Sequence, residues 1–194
     1  MANKLITLRS TIVGLGLAAG YAAGEEVSNN ATAGSVVLPT FELAGFKRGF
    51  ILGAALDLTP ASGNVVTTGA DFELLLFKTA SAPAPVGDNT TNPIAAATRA
   101  LAVGSFRFDD TGWTGPLGTV AAGTSQFQKV PATVVMPLAT PTLQSVYVGY
   151  PFEFKQGETE TLTATLRALA TWDPGGVGTI AQTFGITLDI LVQD

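Results

Sequence analysis

The sequence of 194 residues has no cysteine and no histidine, and only 13% of its residues are charged. The missing side chains exclude a disulfide framework, a zinc finger and catalysis by a Cys–His or Ser–His pair. An average globular domain carries roughly a quarter charged residues, so this chain has about half the usual supply. Its net charge of −5 and its scattered lysines and arginines predict that it has no nucleic-acid partner.

The low charge accompanies an apolar content of 46%, which raises the question of a membrane span. A spanning helix needs about 20 consecutive apolar residues. The longest uncharged run, residues 130–152, contains four prolines, which a regular helix does not accept. Near the N-terminus, Arg9 interrupts the apolar core that a cleaved signal peptide requires. We therefore predict no membrane partner, and we expect residues 5–13 to form a strand.

Alternating apolar residues, divided by turns rich in Gly and Pro, run through most of the chain. Residues 159–171 alternate most clearly, with apolar side chains on one face and threonines on the other. Two further segments each place five apolar side chains on one face of a strand: Phe50, Leu52, Ala54, Leu56 and Leu58, and Phe184, Ile186, Leu188, Ile190 and Val192. Residues 71–78 are apolar on both faces, which predicts a strand that is buried on both sides.

Further strands are expected at residues 35–38, 102–108, 127–138 and 145–154, and one short helix at residues 94–101. About eight to ten short strands at this spacing predict an all-β fold, an antiparallel β-sandwich or jelly roll. The predicted organisation is an extended N-terminal arm, residues 1–30, that contacts other subunits. A single sandwich domain, residues 31–194, follows the arm.

Carboxylates are the only candidate catalysts, since histidine and cysteine are absent. Glu158 and Glu160 would lie roughly 7 Å apart at the start of a strand, near the separation found in inverting glycosidases, with Glu153 close by. A solvated strand end is the interpretation that we favour. Asp109 and Asp110 offer oxygen ligands to Ca²⁺ but lack the EF-hand spacing, and turn residues explain them better. The expectation is a protein that is not an enzyme and has no metal or cofactor.

Two loop tryptophans and a small group of basic residues each allow two interpretations. Trp113 and Trp172 would either stack on a sugar ring or have a structural role, and we favour the second. In the structural role they would close the end of the sandwich or pack on a neighbouring subunit. Lys47 and Arg48, with Arg9, form a small basic cluster that would meet an acidic partner surface or be solvated.

Several short segments, in the same order, resemble a family of tailed-phage virion structural proteins. The match extends over most of the chain, and it lacks the segment 1–20 and the long loop 109–123. The matching segments are residues 20–27 (GYAAGEEV), 49–56 (GFILGAAL), 74–77 (LLLF), 88–89 (DN), 148–152 (VGYPF), 166–168 (LRA) and 188–194 (LDILVQD).

This resemblance implies a capsid decoration, or cement, protein on the outer surface of the virion. Such a protein would bridge subunits of the major capsid protein and would associate with itself as a homotrimer. Under this hypothesis the contact residues are Leu5, Ile6, Leu8, Ile12 and Val13 in the arm, and Asp88, Asn89 and Trp113 in the loops. The competing hypotheses are a carbohydrate-binding jelly roll for adsorption and a structural component of the tail or neck.

Overall fold

The computed structural model describes residues 3–14, 20–60, 65–66, 71–114, 118–119, 126–132, 134–136, 144–146, 149–172 and 182–193. The strands in these ranges are β1 (Asn3–Gly14), β2 (Glu26–Val27), β3 (Thr40–Glu42), β4 (Arg48–Pro60), β5 (Val65–Val66), β6 (Phe72–Lys78), β7 (Gly104–Phe108), β8 (Gly118–Thr119), β9 (Gln126–Pro131), β10 (Val134–Met136), β11 (Gln144–Val146), β12 (Tyr150–Glu153), β13 (Thr161–Ala168) and β14 (Gln182–Gln193). The helix α1 (Ala96–Arg99) and two 3₁₀ turns (Ala33–Ser35 and Thr79–Ser81) complete these elements. None of the described helices has the length and apolarity needed to cross a membrane.

Two five-stranded antiparallel sheets form a sandwich. The first sheet has the order β1-β14-β4-β12, and β9 pairs with β4 alongside β12. The second sheet has the order β2-β13-β6-β7, and β3 also pairs with β13. The shorter pairs β5-β8 and β10-β11 are separate two-stranded ribbons. The predicted all-β sandwich with one short helix is confirmed.

The core lies between the inner faces of the two sheets. The predicted inner face of β14 is fully buried, as is the apolar face of β13: Phe184, Ile186, Leu188, Ile190 and Val192, and Leu162, Ala164, Leu166 and Ala168. Burying a Leu, Ile or Phe side chain contributes about 1.5–3 kcal/mol to folding. Strict alternation along both strands is therefore the main reason for which these segments pair and pack as sheets.

Aromatic rings close one end of this core. Phe72 makes edge-to-face contacts with Trp113, Trp172 and Phe184 at ring-centroid distances of 5.2–6.1 Å. Trp172 also stacks on Tyr21, and the two residues exchange backbone hydrogen bonds of 2.7 and 2.8 Å. Both tryptophans thus pack on the end of the sandwich, which is one of the two structural roles predicted for them.

The strand β4 departs from its predicted alternation because it contains a bulge. Along β14, Asp189 pairs with Gly53 and the next residue, Ile190, pairs with Ile51, so Leu52 has no partner in the register. A β-bulge shifts the side-chain alternation by one residue. Ile51 is therefore fully buried, whereas Leu52 is 37% exposed. The prediction that Phe50 and Leu52 share the buried face with Leu56 is wrong.

The second sheet is buried on both faces, as predicted for β6. On β13, however, Thr163 and Thr165 are buried, although the alternation predicted a solvent-exposed threonine face. The segment between β6 and β7 covers this face: the Thr79 and Thr163 hydroxyls lie 2.9 Å apart, and Arg99 of α1 donates hydrogen bonds to Glu73 of β6.

The N-terminal segment is integrated into the sandwich of its own chain. All twelve residues of β1 pair with β14, and β2 pairs with β13 in the other sheet. The assignment of residues 1–30 as an arm that contacts other subunits stays a prediction. The strand expected at residues 35–38 is not formed: a 3₁₀ turn ends at Ser35, and the Asn29 side chain accepts the hydrogen bond of the Val37 amide.

Candidate interaction surface

The outer face of the first sheet carries an apolar depression that results from the β4 bulge. The bulge turns Leu52 outward, next to Leu5 on the edge strand β1, which is 62% exposed. These two side chains, with Gly53, Pro131, Lys129 and Asp189, line a depression of about 560 Å³. Its lining residues come from β1, β4, β9 and β14, so the depression depends on the pairing of these four strands.

One ion pair lines this depression, and a second lies on the same face of the sheet. Lys129 and Asp189 lie 2.6 Å apart, and the Thr7 hydroxyl donates to Asp189 over 3.0 Å. The hydrogen bond from Lys129 lowers the pKa of the Asp189 carboxyl, and the bond from Thr7 adds to this effect. Arg9 and Asp57 form a second pair at 3.2 Å. An apolar centre with a polar rim is the arrangement found in protein–protein interfaces.

Further along this face there is another exposed ring. Asp57 pairs with Phe127, which is 39% exposed, so the ring lies on the outer face beside the Arg9–Asp57 ion pair. The exposed apolar groups of this face are therefore spread from Leu5 to Phe127.

Of the arm residues predicted as contacts, only Leu5 is shown to be exposed. Ile12 is buried in the core, and Ile6 and Leu8 pack against it, because they occupy the inner face of β1. Val13 lies in β1, but its side chain is outside the described part of the structure.

The predicted loop contacts are also partly buried. Asp88 is 3% exposed and accepts hydrogen bonds from the Tyr21 hydroxyl and the Ser28 amide, both 2.9 Å long. Asn89 adopts a left-handed backbone conformation, with φ of 57°, and its amide donates to the Glu26 carbonyl. Trp113 is half-buried against Phe72. These residues shape loops, and the structure does not bring them together with Leu5.

The carboxylate candidates hold turns. Glu158 precedes β13, accepts the Lys155 amide at 2.8 Å and forms an ion pair with Lys78 at 3.0 Å. The hydrogen bond from the Lys155 amide, followed by the one from Lys78, lowers the pKa of Glu158. Asp109 accepts both the amide and the hydroxyl of Thr111. Within the described ranges, no group of three or more Asp or Glu side chains is arranged to hold a metal ion.

The predicted basic cluster is divided in the structure. Arg9 lies across β14 from Ala55, seven residues along β4 from Arg48, and is bound to Asp57. Lys47 and Arg48 line a separate depression of about 350 Å³ with Glu153 and Phe154.

Sequence reasoning missed a polar layer beneath the segment that covers the second sheet. Glu73 on β6 accepts hydrogen bonds from Arg99 of α1, at 2.5 and 2.9 Å, and from Arg167 of β13, at 2.6 Å. Burial acts to raise the pKa of Glu73, but the hydrogen bond from Arg99 and the charge of Arg167 outweigh it and lower the pKa. The one feature of the sequence that could have indicated this layer is Glu73, a charged residue within a strand whose two faces are otherwise apolar.

Glu26 lies in the same layer and is fully buried. Burial raises its pKa to about 7, against the lowering effect of the hydrogen bond from Asn92. Glu26 stands in a short strand of two residues, so no alternation pattern identifies it as buried.

No protein-family model matches the chain, and no curated protein matches it. One similar solved structure is the capsid protein of Penaeus vannamei nodavirus, a deletion mutant in a T=1 subviral particle. Its sequence is 14% identical and its TM-score is 0.38, and the match covers 100% of this chain and 96% of that chain. The Cocksfoot mottle virus structure has 10% identity, a TM-score of 0.33 and coverages of 99% and 95%. The BFDV capsid protein in its 60-mer has 12% identity, a TM-score of 0.33 and coverages of 100% and 96%. All three TM-scores are low, so the fold assignment rests on the strand pairing of this chain.

Proposed function

We propose that the protein is a non-enzymatic structural component of a virus particle, and specifically a decoration protein on the outer capsid surface. The apolar depression around Leu5 and Leu52, with the Lys129–Asp189 ion pair in its lining, is the observation that supports this proposal. It provides a preformed surface for contact with a major capsid protein. The resemblance of the sequence to tailed-phage virion proteins supplies the identity of that partner.

The low charge of the chain agrees with a permanent contact. Charged residues are depleted at the centre of interfaces and kept at the rim, where they set the orientation of the partners. The outer face of the first sheet follows this pattern: Leu5, Leu52 and Pro131 are central, while Lys129 and Asp189 are already paired with each other. Docking of an apolar partner would not leave these two charges without a counter-ion.

The test is a double variant, Leu5→Asp with Leu52→Asp, added to particles that lack the protein. We expect occupancy on the particle to fall at least tenfold, and its resistance to heat to fall to the undecorated level, because two charges would be buried without partners. The matched control is Val37→Asp, since Val37 is 70% exposed but precedes β3 of the other sheet. Normal occupancy of the double variant would contradict the role of this surface.

The second candidate function is that of a structural component of the tail or neck. The number of copies per particle distinguishes it from a decoration protein. A decoration protein is present in a number comparable with the major capsid protein, whereas a tail or neck ring has few copies. Quantitative gel analysis of purified virions measures this ratio directly. A low ratio would overturn the decoration role even if the depression proved to be a contact surface.

A further inference from the structure

Among the described residues of the polar layer, Glu26 is a buried carboxyl whose charge is not balanced by a bound arginine. In and beside this layer lie three carboxyl groups and two guanidinium groups. The carboxyl groups belong to Glu26, Asp88 and Glu73, and the guanidinium groups belong to Arg99 and Arg167. Both guanidinium groups bind Glu73. Arg167 stands opposite Glu26 in the β2–β13 register, yet it donates its hydrogen bonds to Glu73.

The Glu26 carboxyl is also incompletely bonded. Its Oε2 atom accepts one hydrogen bond from Asn92, 2.8 Å long, whereas Oε1 is buried and has no partner among the described residues. A buried carboxylate with one hydrogen bond is strongly destabilised, whereas the neutral acid is far less so. The negative charge of Asp88 adds to this effect, and the positive charge of Arg167 reduces it.

The same residue joins two segments of the chain. The Glu26 carbonyl accepts the Asn89 amide, and the Glu26 amide donates to the Thr90 carbonyl, each at 3.0 Å. Around it, the Asn92 amide donates to Gly24 and the Asp88 amide donates to Asn30. Residues 20–30, which lead from the first sheet to the second, are thus held against residues 87–92 by a set of bonds centred on Glu26.

We propose that the contact between residues 20–30 and 87–92 is a proton-operated latch, closed while the Glu26 carboxyl is protonated and loosened when it ionises. The groups that face Glu26 are Asp88 from the loop and Arg167 from β13, and Arg167 is held by Glu73 of β6. When the latch opens, water reaches the Glu26 carboxylate and supplies the hydrogen bonds that the ionised group lacks in the closed form. The latch is independent of the decoration role proposed above.

The direction of the pH dependence follows from the raised pKa of Glu26. Below its ordinary value of 4.5, the carboxyl is protonated in the closed and the open latch, and the closed form is not penalised. Between 4.5 and about 7 the open form ionises first, so closure is progressively lost as the pH rises. Above about pH 7 the carboxyl is ionised in both forms, so the free-energy penalty for closure no longer changes with pH. The open-to-closed ratio is expected to rise on the order of a hundredfold across this window.

Hydrogen exchange and NMR titration of the full chain test the latch. We expect the carboxyl carbon of Glu26 to titrate near pH 7, and the protection factors of the Asn89 and Asn92 amides, corrected for intrinsic exchange, to fall between about pH 5 and about pH 8. In Glu26→Gln, which cannot ionise, those protection factors should be independent of pH. Glu42→Gln is the control, since Glu42 is exposed on β3, and it should behave as the wild type.

The wild-type titration gives a result even if the Glu26→Gln variant does not fold. A Glu26 carboxyl that titrates near its ordinary value of 4.5 would overturn the proposal. So would an equal fall of protection in the wild type and in Glu26→Gln, since that fall could not come from this carboxyl.

Discussion

The two sheets of the sandwich share one core but differ in their outer faces. On the first sheet, Leu52 and Leu5 are exposed, and the ion pairs lie at the surface, where the Arg9 side chain is 61% exposed. On the second sheet, Leu75 and Phe77 are buried on the outer face, and Arg99 of the segment between β6 and β7 binds Glu73 on that face. The Arg167 side chain there is only 16% exposed.

Under the proposed function, the second sheet serves stability and the open face of the first sheet serves contact with a partner. The covered face gains free energy of folding from a second apolar layer. It also holds an ion-pair network in which the loss of one partner would leave a largely buried charge unpaired. The uncovered face gains little from its outer side chains, so those side chains are free to be selected for a partner. The comparison predicts that equal substitutions on the two faces have unequal effects on stability, and two pairs of variants test this. A third pair, within the first sheet, tests whether the side chains of the open face can move.

The largest difference is expected between Leu75→Ala and Leu52→Ala. Leu75 is 1% exposed on the covered face, so its truncation leaves a cavity and should lower the free energy of unfolding by about 2–5 kcal/mol. Leu52 is 37% exposed on the open face, and its truncation should cost less than about 1 kcal/mol. Urea unfolding of both variants measures the pair. Similar losses would mean that the outer faces do not differ.

A smaller difference is expected between Glu73→Gln and Asp57→Asn. Glu73 binds two arginines in a largely buried site, and removing its charge should cost about 3 kcal/mol. Asp57 pairs with the exposed Arg9, and its neutralisation should cost less than about 1 kcal/mol. Because the pKa of Glu73 is lowered, its charge stabilises the folded state above pH 4.5. This stabilisation is lost as the pH falls through the folded-state pKa.

Urea unfolding at neutral pH and again at acidic pH checks both halves of this prediction. The gap between wild type and Glu73→Gln should narrow in acid, whereas the gap for Asp57→Asn should stay small throughout. A gap for Glu73→Gln that persists unchanged in acid would mean that the glutamine disturbs packing and that the charge of Glu73 is not the cause.

The sequence predicted what depends on local alternation. The buried faces of β13 and β14 and the two-sided burial of β6 follow from the spacing of apolar residues, and the short helix α1 follows from Pro93 and the alanines after it. The exposure of Leu52 does not, because a bulge is set by pairing with β14, which is far away in sequence. The depression was not predicted, for the same reason: Leu5 was named as a contact residue, but the residues that line the depression with it come from three other strands.

The burial of Thr163 and Thr165 was also beyond the sequence, for a different reason. Alternating threonines are typical of a solvent-exposed strand face, and only the path of the segment after β6 converts that face into an interior. Glu26 belongs to the same category, since its burial depends on residues 87–92. Loop paths, unlike strands, leave no periodic signal in the sequence.

The smallest effect is expected from Gly185→Ala on the open face. A Cβ atom at Gly185 would lie 2.6 Å from Arg9 Nη2 and 3.1 Å from Asp57 Oδ2, both at the ends of side chains that are free to move outward. The loss of this ion pair, and the gain from replacing glycine in a strand, should nearly cancel, leaving a change within about 0.5 kcal/mol.

Gly49→Ala is the matched variant in the same sheet, because a Cβ at Gly49 would meet the backbone carbonyl oxygen of Leu191, which cannot move without disturbing β14. That variant should lose about 1–3 kcal/mol in urea unfolding. A loss of similar size for Gly185→Ala would show that the Arg9–Asp57 pair is as rigid as the backbone. The open face would then contribute to stability as the covered face does, and its charged rim could not be treated as a surface reserved for a partner.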